Sequence, residues 1–117
     1  MTRVEIPESQ AFKLASRTKV TAFVRQKVSL GEEVVFYIKG GGTVPIAKAK
    51  VAQVDDIKII TRNTQVRVAI HGEFLNPLDV YQLWRDAGFS DLGEFYGYFK
   101  PGFEGYWIAW TQTEEIE

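Results

Sequence analysis

His71 is the single histidine in this chain, and there is no cysteine. Serine-type nucleophilic catalysis needs a base and an acid that orients it. No serine here sits in a G-x-S-x-G elbow, so that class is not expected. The absence of cysteine excludes thiolate zinc sites, iron–sulfur clusters, disulfide scaffolds and cysteine nucleophiles together. His71-Gly72-Glu73 matches the H-x-E half of a zinc deaminase signature, but the other half needs cysteine ligands. One imidazole without companion ligands does not hold a metal. His71 therefore reads as a structural residue at a strand end, and neither metal nor cofactor is expected.

Phosphate-cradling loops are not expected either. Gly40-Gly41-Gly42 is not followed by Lys-Ser/Thr and lies between two strands, which makes it a tight turn. Its functional reading is a glycine tip with Lys39 beside it, reaching a nucleic-acid backbone. The adjacent acids Glu32-Glu33 and Asp55-Asp56 read as turn residues that point to opposite faces, not as the facing pair of glycoside chemistry. The cations remain. Lys19, Thr21 and Arg25 fall on one strand face, and Lys48 and Lys50 on another. Such a face grips phosphate, polarises a small ligand in a cleft, or is simply solvated. Between Phe95 and Trp110 the chain carries eight aromatic residues, most of them destined for the core. An exposed ring such as Tyr106 or Trp107 beside a basic groove would stack a nucleobase.

These residues must be positioned by one domain. A chain of 117 residues, 45% hydrophobic and 25% charged, has globular composition and room for a single core over residues 1–117. The net charge of −1 hides an asymmetry. Residues 1–67 hold 12 of the 14 Lys/Arg against 6 acids, whereas residues 68–117 hold two cations against 9 acids. Local potential, not net charge, steers a polyanion, so one anion-attracting face is expected. The alternative is that the two halves attract each other across the fold. The N-terminus has no apolar leader, and no run approaches the roughly 20 apolar residues of a membrane span. A soluble cytoplasmic protein with no membrane partner is expected.

The pattern predicts a short helix over 8–16 and strands at Thr18–Arg25 and Glu33–Lys39. A return strand follows over Thr43–Val54, with Ala47, Ala49 and Val51 on its buried face and Pro45 at an edge or bulge. Asp55-Asp56 then turns the chain into a strand at Ile57–Thr61, with another at Gln65–Ile70. Asn76-Pro77-Leu78-Asp79 opens a helix that stops at Gly88. Ser90 caps a second helix, ended by Pro101-Gly102. Glu104–Gln112 closes the sheet, and the tail Thr113–Glu117 is expected to fray. The fold class is α+β, on a small mixed or barrel-like sheet.

Three segments resemble the ASCH domain family of the PUA-like superfamily. Residues 16–25 (SRTKVTAFVR) are similar to its early G-x-K-T-x-x-x-R signature. Residues 30–37 (LGEEVVFY) are similar to the x-G-D-x-v approach to its second strand. Residues 86–95 (DAGFSDLGEF) resemble its E-G-F-x-s-l-e-e-f helix–turn–helix. The resemblance implies a small PUA-like mixed β-barrel with flanking short helices and a cleft between them. It also implies RNA binding, or in one branch amidohydrolysis of acetylated cytidine by a lysine, a threonine and a glutamate. Lys19 and Thr21 match the first two, while the glutamate position is Ala87, with Asp86 one residue earlier.

The leading expectation is a non-catalytic RNA-binding domain, with RNA or a nucleoside-type ligand as partner. Lys19, Arg25, Lys48 and Lys50 would meet phosphates, Thr21 would donate a hydrogen bond, and Trp107 or Tyr106 would stack a base. The alternatives are a small amidohydrolase or nuclease using Lys19, Thr21 and Asp86, and a protein-interaction module presenting an aromatic patch.

Overall fold

Alternation of buried and exposed side chains sets most of the strands. In the computed structural model, which describes residues 2–10, 13–14, 20–40, 44–63 and 65–115, nine strands pair into two sheets. The first sheet has the order β1 (Thr2–Ile6), β3 (Glu33–Ile38), β4 (Pro45–Lys50), β9 (Thr113–Glu115). β1 runs parallel to β3, and the other two pairings are antiparallel. The second sheet has the order β2 (Thr21–Val24), β8 (Gly102–Ala109), β5 (Gln53–Arg62), β6 (Gln65–Ile70), β7 (Glu73–Phe74), all antiparallel.

Two connections carry the chain directly from one sheet into the other. β4 passes into β5 through Val51-Ala52, and β8 passes into β9 through residues 110–112. The register does not slip at this corner. Ala47 faces Glu115, Gln53 faces Ala109 and Ile60 faces Gly102, as one uninterrupted ladder would require. The Ala52 N–H bonds the Ala109 carbonyl at 2.7 Å within the bend. Among the described residues, β1 and β2 end their sheets as unpaired neighbours, and no pairing closes a barrel.

Two apolar clusters hold three layers together. Between the sheets lie Val4, Ile6, Val24, Val34, Phe36, Ala47, Ala49, Ile108 and Trp110. Between the second sheet and the helices lie Ile57, Ile59, Val68, Leu83, Phe89, Phe95, Phe99 and Phe103. Helix α1 (Pro77–Asp86) starts where predicted: Asn76 accepts from the Asp79 N–H at 2.9 Å, and Pro77 occupies the first turn. Helix α2 (Leu92–Phe99) buries Phe95 and Phe99. None of the described helices is long and apolar enough to cross a membrane.

Four expectations change. Asp55-Asp56 is not a turn but part of β5, opposite Trp107 and Tyr106, because β8 offers a continuous partner through the acids. Residues 113–115 do not fray; they pair with Lys48 and its neighbours. The cap of α2 is Asp91, whose carboxylate accepts from the Glu94 N–H at 2.8 Å, and not Ser90. Of the helix expected over 8–16, Glu8–Gln10 forms one 3-10 turn, and residues 11–12 and 15–16 lie outside the described residues. Pro45 is accommodated by a bulge, since the register shifts between Phe36 and Tyr37 opposite it.

Candidate nucleic-acid interface

Period-two alternation on β1 buries Thr2, Val4 and Ile6 and turns Arg3 and Glu5 outward. On β2 the same rule sends Ala22 and Val24 into the first core, and Phe23 into the aromatic cluster on the opposite face. Arg25 follows directly and is exposed. Residues 2–5 and residues 23–26 together line a cleft of about 480 Å³. Consecutive residues from both strands line it, so the cleft runs along two unpaired sheet edges. Its floor and far wall come from the end of α2: Tyr98, Phe99, Lys100 and Pro101. Lys39 is fixed at the rim by its N–H, which donates to the Ile6 carbonyl at 2.8 Å.

The electrostatics of this cleft are one-sided. Among the described residues, Arg3, Arg25, Lys39 and Lys100 line it against the single acid Glu5. Three of the cations lie over aromatic rings. The Arg3 guanidinium is 4.0 Å from the Tyr37 centroid, the Lys39 ammonium 5.2 Å from that of Tyr98, and Arg25 5.0 Å from that of Phe103. Arg3 also approaches Glu5 at 3.6 Å, an exposed ion pair of the kind that contributes little to stability. Burial pushes the Tyr98 hydroxyl above the ordinary tyrosine range, and the Glu5 carboxylate adds to the rise.

A second recess of about 640 Å³ opens on the other side of Arg25, over β5, β6 and β8. Arg25, Lys58 and His71 line it together with Asp56 and Glu104, so its charge is mixed. Lys58 and Glu104 are register partners there, and Tyr106 supplies a ring. His71 follows β6 with a left-handed φ of 53°. Its Nε2 lies 2.7 Å from the Asp55 carboxylate, and its backbone N–H donates to the Asp56 carbonyl. No cluster of three metal-ligating side chains occurs among the described residues.

The residues singled out by type divide into those in the cleft and those elsewhere. Arg25 lines both recesses. Lys19 lies outside the described residues. Thr21 is buried opposite Ala109. Lys48 and Lys50 share the outer face of the first sheet, Lys48 3.6 Å from Glu114 and Lys50 exposed opposite Glu33; neither lines the cleft. Trp107 is half-buried between Phe23 and Asp55, against the helix-side core, so its ring is not an open platform. Asp86 ends α1; its carbonyl accepts the Val20 N–H at 2.9 Å, and its carboxylate accepts from Gln82. Ala87 is fully buried.

Sequence reasoning missed Arg3, Glu5, Tyr98 and Lys100. The alternation of Thr2–Ile6 was a usable signal for the first two. Nothing local signals that the end of α2 lies against this edge. Comparison with family models, with curated proteins and with solved structures finds no match to this chain.

Proposed function

We propose that this chain is a non-catalytic RNA-binding domain of the PUA-like, ASCH type, with the cleft between β1, β2 and α2 as its RNA site. One observation carries the reading: among the described residues, four cations against one acid line a cleft flanked by aromatic rings. Phosphates supply most of the affinity in such sites, and arginine planes and tyrosine rings suit unpaired bases. The barrel belongs to the same proposal. The uninterrupted ladder that joins the two sheets, and the adjacent edges of β1 and β2, support a barrel with its seam at the cleft.

Fluorescence anisotropy with short single-stranded and hairpin RNA at two salt concentrations tests the reading. Binding in the micromolar range or tighter at low salt, weakening steeply as salt rises, is the expected result. Each of Arg25→Ala and Lys39→Ala should weaken binding to all sequences alike and reduce the log–log salt slope by roughly 0.7 on a single strand. No binding at low salt would overturn the reading.

One observation favours the amidohydrolase alternative. The Val20–Asp86 hydrogen bond sets the strand of Thr21 beside the helix end that carries Asp86. Release of acetate from an N-acetylated nucleoside, abolished in Asp86→Asn, would support it over simple binding.

A further inference from the structure

Glu5 is the exception in the cleft: among the described residues it is the one acid beside four cations. A site built only to hold phosphates gains nothing from an acid in its lining, since like charges repel. Pairing with Arg3 does not account for it either. The contact is long at 3.6 Å, and both side chains remain nearly half exposed.

Resting on the RNA reading above, we infer that Glu5 is the base-reading residue of this cleft, and selects nucleobases that carry an exocyclic amino group over uracil. Three contacts support it. The Arg3 guanidinium lies over the Tyr37 ring, 4.0 Å from its centroid, and the side chain is about half exposed. Arginine planes of this kind stack unpaired bases. The Glu5 carboxylate lies 3.6 Å from Arg3, within reach of the edge of a base stacked on the guanidinium. Across the cleft, Glu5 is also close enough to Tyr98 to raise the pKa of its hydroxyl.

An ionised carboxylate offers acceptors only. It accepts from the 4-amino group of cytosine, as acids do in direct readout of nucleic acids. Uracil presents a carbonyl oxygen at the same position, and two acceptors repel. The cations hold the backbone without regard to sequence, and the acid discriminates.

Cytosine and uracil differ at that position and have almost the same shape, so they make the clean pair of probes. Anisotropy titrations would compare oligocytidine and oligouridine of one length, at one salt concentration, on the wild type and on Glu5→Gln. The wild type should prefer oligocytidine by about tenfold, the value of one hydrogen bond to a charged group. In Glu5→Gln the ratio should fall to near one, because the amide offers a donor to the uracil carbonyl as readily as an acceptor to cytosine. Equal binding of both oligomers to the wild type, with Glu5→Gln tightening both alike, would reduce Glu5 to a repulsive charge and overturn the inference while leaving the RNA reading in place. If neither oligomer binds, the RNA reading fails, and the selectivity with it.

Discussion

Gly105 and Gly97 both lie inside regular elements, yet they meet opposite surroundings. A Cβ on Gly105 would sit 2.5 Å from the Val24 carbonyl oxygen and 2.9 Å from the Phe103 ring, where β8 passes under β2. Backbone cannot yield there cheaply, so Gly105→Ala should cost about 1–3 kcal/mol in chemical denaturation. A Cβ on Gly97, within α2, meets nothing within 4 Å. Gly97→Ala should therefore stabilise the protein by about 0.5–1 kcal/mol through the helix preference of alanine. Glu32 adds a pH dependence. The Thr2 hydroxyl, and then the Ser29 N–H, donate to its carboxylate and hold its pKa below the ordinary range. The stabilisation is present above the unfolded-state value of about 4.3 and is lost as pH falls through the lower folded value. Thr2→Val should bring the Glu32 titration, followed by NMR, back towards the ordinary value. At this scale the sequence was readable where chemistry alone decides. Arg25, read from its type and strand position, lines the cleft, whereas Thr21 is buried. Tyr98 was not readable, because its place in the cleft comes from neighbours distant in the chain.

The elements were legible wherever capping or alternation is local. Asn76-Pro77 opened α1 as read, and Asn76→Ala should cost about 1 kcal/mol in thermal unfolding. Asp91→Ala should cost a similar amount, whereas Ser90→Ala should leave α2 intact. Ser90 makes a different bond: its hydroxyl accepts from the Lys13 ammonium at 2.9 Å. Two polar residues side by side obscured which one was the cap. The pair Asp55-Asp56 misled for a related reason. Acids in sequence suggest a turn, but here the Asp55 carboxylate is held by Gln53 and His71, and the Asp56 side chain points to solvent. Both then fit a strand that is paired on its β8 side. The polar tail hid β9 in the same way. Its place is set by β4, with Lys48 and Glu114 in contact, and no property of the tail itself announces that partner.

On the scale of the whole molecule, the basic and acidic halves of the sequence do not map onto two faces. Lys48 meets Glu114 across the halves, whereas Lys100, from the acidic half, joins Arg3, Arg25 and Lys39 in the cleft. The charge count indicated that a basic surface should exist; the edges of two different sheets decide where it lies. Truncation before Thr113 should remove β9 and leave β4 as an open edge in the first sheet. The truncated protein should be less stable and associate by edge pairing, seen as earlier elution in size-exclusion chromatography. The long ladder has a further consequence for synthesis. Residues 47–60 keep one side open until residues 102–115 arrive, and β2 waits for β8 as well. On the ribosome, the first half of the chain must emerge and remain without its central strand pairing until the second half follows. β1, β3 and β4 can assemble early, and so can the hairpin of β5 and β6 with β7. The nascent chain therefore passes through a stage with β2 unpaired and β4 and β5 open on one side, when wrong edge pairing threatens it most.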